Sequence, residues 1–129
     1  MLEADILMGT IDGGSAPVAI MAHPPDKTSD LTFAEFLSEV IAANSGQNKA
    51  KGIKLDFKDI ESVEPCLKLL RKQARKIDFP VWLNADVLVG PGNSSTVPVD
   101  AERFLNLTQN YAPFATLSLG WTTSYGEYP

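Results

Sequence analysis

Acidic and basic side chains alternate with apolar ones in three short runs of this chain. Glu3 and Asp5 stand in Leu2-Glu3-Ala4-Asp5-Ile6, and Lys54, Asp56 and Lys58 in Ile53-Lys54-Leu55-Asp56-Phe57-Lys58. Asn84 and Asp86 stand in Val81-Trp82-Leu83-Asn84-Ala85-Asp86-Val87. Alternation at period two places all of the polar members on one face of a strand. Three carboxylates against two lysines, with Asp86 as a fourth, read as a cation site. Their hard oxygen donors suit Mg²⁺ or Ca²⁺, with Glu3, Asp5 and Asp56 as ligands. The other reading is that Glu3, Asp5 and Asp56 simply pair with Lys54 and Lys58. His23, the one histidine, ends an extended segment before Pro24-Pro25 and is either structural or an acid/base group.

The elements that must position these residues are legible in turn. Leu2 to Met8 reads as a strand, Asp12-Gly13-Gly14 as a turn, and Pro17 to His23 as a second extended segment. Thr32 with Glu35 three residues on forms a capping box, and Phe33, Phe36, Leu37, Val40 and Ile41 trace one face of the helix it opens. Gly52 to Phe57 reads as a strand. A helix follows from Val63 to Lys76, with Pro65 in its first turn and Val63, Cys66, Leu67, Leu70 and Ala74 as its buried stripe. Pro80 to Leu88 is a strand, Gly90 to Pro98 a loop, Asp100 the cap of a further helix, and Ala115 to Leu119 a last strand.

Strands alternating with helices imply an α/β fold with a parallel sheet. In a doubly wound sheet both faces are covered, and strands read as continuous apolar runs. Here each strand has one apolar and one polar face. A (β/α) barrel explains that, with the apolar face toward a helix ring and the polar face toward the lumen. Asn84, Asp86 and Trp121 are read as further lumen-lining residues.

The chain has 129 residues and a formal net charge of -5, the size of one domain and no match to a nucleic-acid partner. Lys68, Arg71, Lys72, Arg75 and Lys76 read as a solvated helix face. The lone Cys66 lies among apolar residues and reads as a buried, inert thiol. No apolar run is long enough to span a membrane, and no signal peptide is visible. Asn93-Ser94-Ser95 and Asn106-Leu107-Thr108 are glycosylation triplets.

Met1-Leu2-Glu3-Ala4-Asp5-Ile6-Leu7, Met21-Ala22-His23-Pro24-Pro25, Lys51-Gly52-Ile53-Lys54-Leu55-Asp56-Phe57-Lys58, Val81-Trp82-Leu83-Asn84-Ala85-Asp86 and Leu117-Ser118-Leu119-Gly120-Trp121-Thr122-Thr123 together resemble the menorin family. That family is similar to the glycerophosphodiester phosphodiesterase and phospholipase-C-like barrels. In those enzymes a Glu-x-Asp pair holds the metal, matched by Glu3 and Asp5. A histidine after a Pro-Val strand does acid/base chemistry, matched by His23. A Leu-Glu-Ile-Lys strand supplies a metal carboxylate and a lysine, matched by Asp56 and Lys58 with Asp in place of Glu.

The resemblance therefore implies a metal-dependent phosphodiesterase-like site, with His23, Lys54 and Lys58 in catalytic roles. A phosphodiester small molecule or lipid headgroup would be its ligand. Two departures stand out. Pro24 follows His23 where the enzymes have aspartate, and their second catalytic histidine lies on a strand upstream of Glu-x-Asp. A full barrel takes about 250 residues. The chain is therefore expected to be one partial domain over 1–129, about half of a barrel, without its first strand and C-terminal half, and inactive alone. The family's association with extracellular recognition gives the other expectation, a non-enzymatic domain that binds an extracellular protein partner. Its contacts would come from the loop Gly90 to Pro98 with Trp121, Tyr125 and Tyr128.

Overall fold

Period-two alternation is realised as a single mixed sheet with helices on one side, in a computed structural model that describes residues 1–46, 48–92 and 94–123. The elements run β1 (Leu2–Ile11), β2 (Val18–Met21), β3 (Thr28–Ser29), α1 (Phe33–Asn44), β4 (Ile53–Phe57), α2 (Val63–Lys72), a 3-10 turn (Ala74–Lys76), β5 (Val81–Leu88), α3 (Ala101–Tyr111) and β6 (Thr116–Trp121). The sheet order is β2-β1-β4-β5-β6, with β3 added to the far end of β1. Strands β1, β4, β5 and β6 are parallel and advance in one direction.

An entirely parallel sheet is not what forms. The chain turns at Asp12-Gly13-Gly14, where Gly13 has a φ of 79°, and returns as β2 antiparallel to β1, with Leu7 opposite Ile20. The connection is far too short for the crossover that a parallel pair needs. The sheet is also open, since β2 and β6 are its two edges. The α/β class holds, and closure into a barrel is not seen.

One apolar core lies between the sheet and the helices. Ile6, Ile53, Leu55, Phe57, Leu83 and Ala85 supply the strand side, and Phe33, Leu37, Val40, Val63, Leu67, Leu70 and Phe104 the helix side. Thr32 caps α1 as its sequence predicts. Its Oγ1 accepts the Glu35 N–H at 3.1 Å and donates to Glu35 Oε1 at 3.0 Å. At the other end of α1, Asn44 Nδ2 donates to the Lys51 carbonyl at 2.9 Å and Asn44 Oδ1 accepts the Lys51 N–H at 2.8 Å. The helix is thereby stitched to the approach of β4. Asp100 Oδ1 accepts the Arg103 N–H and caps α3.

Two helix details differ from expectation or refine it. The helix expected to reach Lys76 stops at Lys72, and tighter 3-10 winding rotates Ala74 off the buried stripe into water. Cys66 is fully buried and its thiol pKa is pushed far up by that burial. No helix among the described residues is long and apolar enough to cross a membrane. Asn106 lies exposed on α3, while Asn93, Tyr125 and Tyr128 lie outside the described residues.

The β6 edge leaves apolar surface in water. Leu117 and Leu119 share a face with the buried Leu83 and Ala85 but are 41% and 47% exposed. With Leu105, Ala112 and Ala115, Leu117 lines an open groove of about 430 Å³. Each Å² left so costs roughly 25 cal/mol, and an unpaired strand edge is a template for association. We expect this 129-residue chain to sediment as a concentration-dependent mixture of monomer and larger species. Leu117→Lys with Leu119→Lys should shift it toward monomer. A wild-type chain that sediments as monomer at every concentration tested would show that the edge is satisfied.

Candidate functional site

Parallel register sets the polar face out in rows. Glu3, Lys54, Trp82 and Thr116 are neighbours across β1, β4, β5 and β6, and Asp5, Asp56, Asn84 and Ser118 form the next row. Beyond it stand Lys58, just past the end of β4, and Asp86 beside Gly120. Residues of one row in a parallel sheet point to the same side. All of these side chains therefore face away from the helices, as the alternation predicts.

The middle row is a continuous hydrogen-bonded chain. Lys58 Nζ donates to Asp56 Oδ2 at 2.8 Å, and Asn84 Nδ2 donates to Asp56 Oδ1 at 2.9 Å. Ser118 Oγ donates to Asn84 Oδ1 at 3.0 Å. Both Asp56 oxygens thus accept, and the Asn84 amide can sit only one way round, its NH₂ toward the carboxylate and its oxygen toward the hydroxyl. Lys58 Nζ also lies 3.6 Å from Asp5 Oδ1 and so bridges β1 and β4. Glu3 is set apart from this cluster. It lies one row toward the strand N-termini, largely exposed, and pairs loosely with Lys54 at 3.8 Å.

His23, Lys58 and Asp86 come together at the C-terminal ends of the strands. They line one open cavity of about 300 Å³, walled also by Phe57, Thr96, Val99, Thr122 and Thr123. A smaller hollow joins His23 to Asp5. His23 Nδ1 lies 2.6 Å from the Pro24 carbonyl oxygen. A carbonyl only accepts, so Nδ1 carries the hydrogen and neutral His23 offers Nε2 as its base. Trp121 pairs with Leu88 after a register shift at the end of β5 and is 57% exposed.

The charges shift one another. Burial works against the Lys58 ammonium, but its hydrogen bond to Asp56 and the fields of Asp56, Asp5 and Asp86 prevail and hold its pKa above 10.5. Its contribution to stability is therefore intact below 10.5 and is lost only as pH climbs past the raised native value. For Asp86, burial and the nearby Asp56 carboxylate outweigh Lys58 and raise its pKa. Among the described residues, no three of His, Cys, Asp and Glu are gathered as a ready-made metal centre.

Sequence reasoning gave no chemical role to Thr96, which fell only within the loop Gly90 to Pro98, or to Thr122 and Thr123, which fell only within a resemblance motif, yet all three line the cavity beside His23. Their position was the available clue. Thr122 and Thr123 follow the end of β6, and Thr96 lies in the loop after β5, where ligands of parallel α/β sheets gather. Thr122 Oγ1 accepts the Gly90 N–H at 3.2 Å and ties the two ends together.

Fold and site together define an α/β domain with a helix-covered apolar sheet face and an ionised polar one that leads to a cavity at its strand ends. The chain belongs to the menorin family: the model of the menorin N-terminal domain matches residues 1–129. It is similar to the human protein named "Protein FAM151B", at 46% identity over 125 residues, which is 97% of this chain and 42% of that protein. The chain thus spans less than half the length of this curated relative. No solved structure gives a significant match.

The raised pKa of Asp86 has a stability consequence. A carboxyl that holds its proton more tightly when folded favours the fold below its unfolded value and disfavours it once ionised. We expect Asp86→Asn to unfold at a slightly higher temperature than wild type at pH 7. That advantage should shrink as pH falls through the raised native pKa toward 3.8. Thermal melts across that range check this, and an Asn variant less stable than wild type at pH 7 would show that Asp86 holds the fold together.

Proposed function

We propose that the polar face is a phosphodiester-binding site that works with a divalent cation, on a sheet that forms about half of a (β/α) barrel. The observation that carries this is the cavity shared by His23, Lys58 and Asp86, next to a cluster in which Asp5, Asp56 and Asp86 outnumber the one ammonium of Lys58. Strands that advance in one direction, with helices on one face only, support the barrel reading.

The donor chemistry of Asp5 and Asp56 suits Mg²⁺ or Ca²⁺, and these two residues would hold it, whereas Glu3, a row away and paired with Lys54, stands outside that set. When bound, the cation polarises the phosphoryl oxygens. The chain's own residues do the rest. Lys58 is charged throughout the physiological range and offsets the anion, Lys54 adds charge from the neighbouring row, and His23 Nε2 accepts or returns a proton. Asn84 and Ser118 hold the Asp56 carboxylate in place.

A second reading has its own observation. Leu88, Val89, Val97 and Trp121 are large apolar side chains left in water around the same strand ends, which suits an extracellular protein partner. One pair of variants separates the two readings: His23→Ala removes turnover and spares partner binding, and Val89→Asp with Val97→Asp does the reverse.

Calorimetric titration of Mg²⁺ and Ca²⁺ into wild type and Asp5→Asn tests the cation. We expect saturable heat from wild type and at least tenfold weaker binding in the variant, since one charged ligand is lost. Equal heats from both proteins would remove the metal. Diester hydrolysis by the longer protein should fall at least a hundredfold in His23→Ala, and unchanged turnover would remove His23 from the chemistry.

A further inference from the structure

The cavity at the strand ends presents opposite charges on its walls. Lys58 contributes an ammonium from the β4 side, and Asp86 a carboxylate from β5. Lys58 is already engaged by Asp56 and Asp5. Asp86 differs from every other acid on this face. Its carboxylate makes no hydrogen bond or ion pair with the described residues, although it is partly withdrawn from water. Its carboxylate caps no helix and joins no cross-strand ion pair among the described residues.

Space is nevertheless kept for it. The register partner of Asp86 on β6 is Gly120, and a Cβ there would come within 2.5 Å of Asp86 Oδ1. A register shift between Asp86 and Leu88 follows directly, an irregularity that re-aims side chains at the rim of a sheet. The groups that face Asp86 are Asp56 and Lys58 from β4 and its end, His23 from the segment after β2, and uncharged Gly120 from β6. With Asp5 included, three carboxylates stand against one lysine. Lys58 and a divalent cation on Asp5 and Asp56 would offset those two carboxylates and the phosphoryl anion of a diester, and Asp86 would still lack a partner, which a ligand that brings its own positive charge would supply.

We propose that Asp86 is a specificity-determining residue that takes the ammonium end of a zwitterionic phosphodiester whose phosphoryl group lies toward Lys58 and His23. This rests on the diester reading of the site. The volume of about 300 Å³ suits a small headgroup. Gly120 serves the same end by leaving the Asp86 carboxylate its place.

Calorimetry on the full chain at saturating Mg²⁺ tests it with four probes: glycerophosphoethanolamine, glycerophosphocholine, glycerophosphoglycerol and ethanolamine alone. We expect the two zwitterions to bind about tenfold more tightly than glycerophosphoglycerol, the worth of one charge-assisted contact. Asp86→Asn and Gly120→Ala should each erase that ratio. Gly120→Ala displaces only the tip of a flexible side chain, and if it fails to fold, Asp86→Asn decides alone. A ratio near one in wild type, or a ratio that persists in Asp86→Asn, overturns the proposal and leaves the diester reading standing. Ethanolamine bound in an Asp86-dependent way without any diester binding supports the ammonium contact and removes the diester reading. No binding of any probe overturns both.

Discussion

Asp5 and Asp56 are nearest neighbours on adjacent parallel strands, and at a strand spacing of about 4.8 Å two like charges oppose the pairing that holds them there. Lys58 resolves the conflict by placing its ammonium against both. Much of the polar face follows from that one cation. Once Asp56 is drawn to Lys58 through one oxygen, its other oxygen needs a donor, which Asn84 supplies. The amide oxygen left over needs a donor in turn, which Ser118 supplies. The row is a series of debts settled from left to right across three strands. Cutting it at Lys58 would leave two half-buried carboxylates facing each other.

How much of this could be read beforehand depends on whether a feature is periodic. The faces of β1, β4 and β5 were legible because a period of two leaves no freedom once one side is apolar. Glu3, Asp5, Lys54, Asp56, Asn84 and Asp86 all fall on the side that alternation gives them. The capping box at Thr32 was legible for a similar reason, since its two residues must lie three apart. Pairing direction was not legible for β2. The segment reads as extended either way, and only the short turn at Asp12-Gly13-Gly14 argues for a return. Distances within a face were not legible either. Parity puts Glu3 beside Asp5, but one step of two residues along the strand is enough to separate Glu3 from Lys58 and give it to Lys54 instead. The cavity threonines follow no periodicity, and their place after strand ends is what marks them for the cavity.

The two faces of the sheet have different tasks. The core beneath holds the chain together through side chains that are almost all fully buried, and its composition is fixed by packing. The face above holds ionised groups that are only partly removed from water, where each contact is worth little to folding. Such a face can change its chemistry without endangering the fold. Asp86 is the clearest case: its ionised form is expected to cost some stability, it stands opposite a glycine that cedes it room, and a site that carries such a cost is where function is expected to reside.

Strand β1 has a consequence for the order in which this molecule assembles. Among the described residues it is the one strand that pairs with three others, β4 along its first half, β2 along its middle and β3 at its end. The hairpin with β2 closes only a short loop, whereas the links from Asp56 to Asn84 and from Asn84 to Ser118 span 28 and 34 residues. Loop-closure entropy makes the local pairing the least costly first step, with each crossover added to it afterwards. The polar row, which needs β4, β5 and β6 in register, therefore closes only through pairings far apart in the chain.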